Sequence, residues 1–145
     1  MNKPTRFLGV ALVFFALGVS GAGSSASPTS TLDPLVRTKL EGWARMTAER
    51  AGDTDPEEAY VVASTMKAAS RLGGWQTPVD GPVYAVEVLG DFRIGHAAPL
   101  GADPVSETAA FTGVIDARNL RLSDFIHGPT ELSRLGAPER LFAAK

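Results

Sequence analysis

The first 26 residues decide how much of this chain is left to fold. Lys3 and Arg6 open it, Phe7 to Val19 follow without a charged residue, and Ser20 to Ala26 are all small. Basic, apolar and small in that order is the pattern of a cleaved secretory signal peptide. The apolar run falls well short of the roughly 20 residues that a bilayer-spanning helix needs. Ser24 and Ala26 supply the small side chains that cleavage before Ser27 requires, with Gly21 and Gly23 as an alternative pair. The expected product is secreted and extracellular, or periplasmic if the source has an outer membrane, with no stable membrane anchor after cleavage.

The chain contains no cysteine. It therefore has no thiol to lipidate behind the signal and no disulfide to staple a small secreted fold. Residues 27–145 must hold together by apolar burial, and a chain of that size buries roughly two-thirds of its unfolded surface. One domain is expected over residues 33–145, with residues 27–32 as a disordered lead-in. Formal net charge is −2, falling to −4 once Lys3 and Arg6 are removed. That balance gives no electrostatic reason to bind nucleic acid or anionic lipid.

Asp33-Pro34 reads as a helix start, an N-cap followed by a first-turn proline. Val36, Leu40, Trp43, Ala44 and Thr47 recur at helical spacing, and Gly52 is placed to end that helix. Asp55-Pro56-Glu57-Glu58 carries the same signature with a capping-box glutamate, and Ala59, Val62, Ala63, Met66 and Ala69 predict a second helix that stops at Gly73-Gly74.

After Gly81-Pro82 the period changes to that of a strand. Tyr84, Val86 and Val88 alternate with Val83, Ala85, Glu87 and Leu89. Gly90-Asp91 reads as a turn or bulge before Phe92 to Ile94, and residues 95–104 as a loop. A second strand is expected from Thr108 to Asp116, with Phe111, Gly113 and Ile115 on one face. Ala117-Arg118-Asn119 is the expected tight connection, Asn119 taking a left-handed conformation. A third strand, Leu120 to Ile126, ends at Gly128-Pro129. Thr130 to Leu135 reads as one helical turn, and the last residues as a tail or short helix. The expected fold is α+β: two N-terminal helices packed on one face of a small three-stranded antiparallel meander sheet.

Val83-Tyr84-Ala85-Val86-Glu87-Val88, leading to Gly113-Val114-Ile115-Asp116-Ala117 and a return strand, resembles the PepSY-type helix-plus-three-strand arrangement. Gly90-Asp91-Phe92, Pro99-Leu100-Gly101 and Leu132-Ser133-Arg134-Leu135-Gly136 are similar to segments of small secreted actinobacterial proteins. The resemblance covers about Val83 to Gly136 and implies an extracytoplasmic binding or protease-restraining module.

The chemistry-bearing residues form no motif. His96 lies in the Gly/Ala/Pro loop. His127 ends the third strand, and Asp124, three residues earlier, falls on the opposite face by strand alternation. His96, Asp91 and Asp103 match no zinc spacing, and Asp53-Thr54-Asp55 is not followed by an EF-hand. Ser64 and Lys67 are the only Ser-x-x-Lys pair, placed by the helix expectation on adjacent turns, without partner motifs. Phosphate and dinucleotide glycine patterns are absent. No catalytic residue, metal ligand or cofactor is assigned. The residues expected to contact a ligand or partner are Trp75, Phe92, His96 and His127, since large rigid side chains near loops anchor contacts. The expected function is an exported, non-enzymatic binding or interaction module for an extracellular protein or peptide. The alternative is a small extracytoplasmic hydrolase or lyase with a cystatin-like α+β cavity using Asp91, His96 or His127.

Overall fold

The computed structural model describes residues 31–95 and 105–144. The expected signal segment, most of the expected lead-in, and His96 with the rest of its expected loop lie outside the described residues. The elements are α1 (Pro34–Arg50), β1 (Glu58–Thr65), α2 (Met66–Gly73), β2 (Pro82–Gly95), β3 (Val105–Asp116), β4 (Leu122–His127) and β5 (Glu139–Ala143), with a 3₁₀ turn at Leu132–Arg134. The strands form one antiparallel sheet in the order β4-β3-β2-β1-β5.

α1 follows its sequence signals. The Asp33 carboxylate accepts from the N–H groups of Leu35 at 2.9 Å and Val36 at 3.2 Å. Leu40, Ala44 and Ala48 form its buried stripe. The β2, β3 and β4 meander also follows the sequence, including the bulge. Pairing slips register between Leu89 and Phe92. There Asp53 Oδ2 accepts from the Asp91 N–H at 2.9 Å, and the Ala51 carbonyl accepts from Arg93 N–H at 2.7 Å. A side chain at Gly90 would put its Cβ 2.2 Å from that Asp53 oxygen, so only glycine leaves room for the tie.

The expected architecture is corrected in three respects. The sheet has five strands, not three. The helices do not precede the sheet as a pair, because β1 stands between them. They also lie on opposite faces. α1 packs with Val61, Val86, Val88, Phe111, Ile115 and Leu141. Ala69 of α2 packs with Val83 and Val114, and Leu72 with Val62 and Ala85, on the other face.

The difference originates at residues 55–65. Ala59, Val62 and Ala63 fit a helical stripe, but Tyr60-Val61-Val62 and Ser64-Thr65 favour a strand. β1 lies between β2 and β5, so Ala59 and Val61 are buried on one face and Val62 on the other. Burial on both faces hides the alternation that identifies a strand. The helical signal belonged to α2 alone, where Thr65 caps the start and Gly74, at φ +77°, ends it.

The C-terminal tail is β5, paired to β1 from Glu58↔Ala143 to Val61↔Glu139. At the β3–β4 turn the left-handed residue is Leu120, at φ +56°, not Asn119. Asn119 Oδ1 instead accepts from the Arg121 N–H at 2.9 Å.

Antiparallel pairing throughout means that β4 and β5 run in the same direction at opposite edges. Their connection, residues 128–138, crosses the α2 face as a strap. Leu132 and Leu135 press it onto Val62 and Ala85. On the α1 face, Trp43 lies directly on Gly113, where an added Cβ would come within 2.1 Å of the indole Cη2. The same ring meets Phe111 edge-on at 6.1 Å, which limits its retreat.

Gly113→Ala is expected to destabilise the domain by about 1–3 kcal/mol through overpacking, measured by urea unfolding. Combined with Trp43→Leu, its cost should fall well below the sum of the single effects, because the two residues share one contact.

Candidate functional site

The two edges of the sheet are treated differently. Beside β5, α1 supplies Arg37, whose Nη2 donates to the carbonyls of Arg140 at 2.6 Å and Leu141 at 2.9 Å. Arg37 also pairs with Glu139, and Thr31 N–H donates to the other Glu139 oxygen at 3.1 Å. A charged side chain anchored on strand carbonyls blocks further pairing there.

Nothing comparable covers β4 among the described residues, and no described strand pairs with its outer side. Gly128 N–H donates to the Ala110 carbonyl at 3.0 Å, which makes Ala110 and Gly128 a hydrogen-bonded pair. In an antiparallel ladder such pairs alternate. Thr112↔Ile126 and Val114↔Asp124 fall in the same class, and Phe111↔His127 and Gly113↔Phe125 in the other. The backbone N–H and C=O groups of Phe125 and His127 therefore point away from β3, to the outside. One of them is already engaged: Phe125 N–H donates to Asp124 Oδ1 at 2.7 Å.

Side chains flank this edge on both faces. On the α1 face Phe125 stacks on Phe111 at 5.0 Å, and His127 meets Phe125 edge-on at 5.2 Å. His127 is exposed, and Leu122 at the start of the strand is 49% exposed. On the α2 face Ile126 packs against the Ala69, Val83 and Val114 cluster, as does half-buried Trp75. Two of the four expected contact residues, Trp75 and His127, thus stand on opposite faces of the same side of the sheet. Phe92 does not qualify. It is 1% exposed, with its ring 4.7 Å from that of Phe111, and is core. His96 lies outside the described residues. The backbone edge itself was missed, because an open edge follows from strand order, which local patterning does not reveal.

Other polar residues are committed to the fold. Glu87 is only 8% exposed on the α2 face. Its Oε1 accepts from the Thr130 N–H at 2.6 Å and the Thr130 hydroxyl at 3.0 Å. The Thr112 hydroxyl lies 2.9 Å from that of Thr130. The strap is tied to the centre of the sheet by this cluster. Tyr60, opposite Glu87 in register, donates its hydroxyl proton to Glu58, which raises its pKa, with burial adding to the effect. At the sheet's other end Arg118 grips Asp116 through two nitrogens, at 3.0 and 2.7 Å. The Asp80 carboxylate accepts from Lys67 N–H at 3.1 Å and Gly81 N–H at 3.0 Å, and the Lys67 bond is the chief cause of its lowered pKa.

These placements bear on catalysis. Asp124 and His127 face opposite sides of β4, so they form no dyad. Ser64 lies in β1 and Lys67 in α2, so the expected helical Ser–Lys pair does not exist. A concavity of about 430 Å³ is lined by Gly52, Asp91, Phe92, Arg93, Glu107, Thr108 and Ala109. It contains Asp91 but not His127. Among the described residues no three metal-binding side chains gather, and no helix is long and apolar enough to cross a membrane.

Comparison with protein-family models, with curated proteins and with solved structures gives no match.

Thr130→Val removes a hydroxyl and leaves the Glu87 and Thr112 oxygens short of a partner. It should cost about 1–3 kcal/mol, measured by urea unfolding, with faster hydrogen exchange at residue 130. A second expectation concerns acid. The Arg118 hydrogen bonds hold Asp116 down to about 2, from an ordinary 3.8. A carboxylate depressed by folding adds stability above its unfolded pKa and loses it as pH falls through the folded one. The contribution of this pair should therefore disappear between about pH 4 and pH 2, and Arg118→Ala should flatten that part of the profile of urea midpoint against pH.

Proposed function

We propose that this protein is an exported, non-enzymatic interaction module that takes an extended segment of an extracellular protein as an added strand on β4. The observation that carries this reading is the asymmetry of the sheet edges. Arg37 seals β5, whereas β4 turns the backbone groups of Phe125 and His127 outward. Strand addition draws affinity from main-chain hydrogen bonds and selectivity from side-chain contacts on alternate residues. β4 offers both, with Phe125 and His127 on one face and Ile126 on the other. The PepSY-type resemblance of Val83 to Gly136 points to the same class of role, and the signal segment accounts for the extracellular setting. The hydrolase or lyase alternative has less support, because the chain's own groups occupy the buried carboxylate and Asp124 stands on the opposite face of β4 from His127.

His127→Pro tests the reading. Proline is tolerated at an edge position whose N–H faces solvent, but it deletes the donor and obstructs an incoming strand. Immobilised wild-type protein should retain a partner from spent culture medium, and that partner should shift the amide resonances of Phe125 and His127. His127→Pro, with an unchanged circular dichroism spectrum, should retain none of it. Equal capture by both proteins would refute docking at β4.

A further inference from the structure

We infer that the segment added to β4 is basic, with a lysine or arginine set against Asp124. This rests on the docking reading above and specifies its partner. The argument starts from the Asp124 carboxylate. Its Oδ1 accepts from Phe125 N–H at 2.7 Å, and that N–H is one of the outward donors a docking strand must use. An incoming carbonyl therefore has to displace the carboxylate. The displaced group stays on the strand beside the new neighbour, on the α2 face with Ile126. It loses its hydrogen-bond donor at the moment water is excluded from the edge, and an unpaired carboxylate in a drying interface is costly. A cation on the partner residue that shares the α2 face removes that cost.

Among the described residues no lysine or arginine, those of α2 included, is paired with Asp124. Asp116 and Arg118 are already bonded to each other. The partner must bring the cation.

Asp124 also argues against a second copy as the occupant. Antiparallel edges pair residues that share a face. Two copies of β4 centred on residues 124 to 126 would therefore place Asp124, Ile126 or Gly128 of the copy opposite Asp124. None is a cation, and one register sets two carboxylates together. The side chain plugs the edge against its own kind and admits a basic strand, a use of charge seen at protected sheet edges. The alternation fixes the rest of the pattern. Partner residues one and three positions from the cation, toward the His127 end, lie on the α1 face against Phe125 and His127, where apolar side chains fit.

Two capped eight-residue peptides of alternating valine and threonine test this, one with a central lysine in a threonine position and one with glutamate there. Binding to the mature protein is followed by amide shifts at Phe125 and His127. The lysine peptide should bind roughly five- to tenfold more tightly than the glutamate peptide, the range an attraction replaced by a repulsion gives at a partly exposed site. Asp124→Asn should bring the two affinities together while leaving the shifts in place. Equal binding of both peptides to the wild type, or a difference that survives Asp124→Asn, overturns the basic partner while docking at β4 stands. Failure of both peptides to shift any β4 amide, with capture from medium unaffected by His127→Pro, removes the docking reading as well. Sedimentation of the wild type should show a monomer. A dimer that protects the Phe125 and His127 amides would name a second copy as the occupant and overturn the proposal.

Discussion

The chain leaves β4 at one edge of the sheet and has to reach β5 at the other. Most of the structure follows from that journey. β4 and β5 run the same way, so residues 128–138 must travel back the length and across the width of the sheet. They do so over the face that α1 does not cover. A backbone laid on a buried sheet face brings polar groups with it, and those groups need partners. Glu87 supplies them. Its carboxylate takes both the N–H and the hydroxyl of Thr130, and Thr112 adds a third oxygen to the cluster. A carboxylate in the middle of a sheet would be unfavourable alone; here it fixes where the strap crosses, and no buried side-chain polar atom among the described residues lacks a partner.

The opposite face is organised by shape. Trp43 sits on the bare backbone of Gly113 and against the edge of Phe111, which in turn contacts Phe92 and Phe125. The aromatic series runs from α1 to the β4 edge and ends at His127. The side chains that flank the open edge are therefore continuous with the core. Phe125 and His127 are held by rings behind them, and an edge with fixed side chains loses less conformational entropy when another strand arrives.

Local signals identified α1, β2, β3 and β4 because each has one dominant period or a clear cap. β2 is covered on both faces too, and was legible because Val83, Tyr84, Val86 and Val88 concentrate β-branched and aromatic residues directly after Gly81-Pro82. Asp33-Pro34 and Gly90-Asp91 worked because their chemistry is local: a carboxylate two residues from the N–H it caps, and a glycine where no side chain fits. β1 is an inner strand of the same kind, but Ala59, Ala63 and Ser64 thin its β-branched run, and Asp55-Pro56 imitated a helix start in what is a loop. β5 is five residues long and gains its order from β1, far away in sequence. Phe92 looked like a surface anchor because it stands beside a loop; the Gly90 bulge turns it into the core. The open edge was least accessible of all, since no residue in Leu122 to His127 announces that β4 is last in the sheet.

The consequence of β5 pairing with β1 reaches as far as the edges. Placing the C-terminal strand beside β1 puts it within reach of the N-terminal turns of α1, where Arg37 can take the Arg140 and Leu141 carbonyls. Among the described residues no helix lies beside β4 to do the same, and the group that meets the outward N–H of Phe125 is the Asp124 carboxylate, a cover that costs one hydrogen bond to remove. An exposed edge with no guard invites indiscriminate pairing, and one sealed as β5 is sealed admits nothing. A single carboxylate on an outward N–H lies between these two cases, which is the physical basis for proposing a strand that brings its own cation.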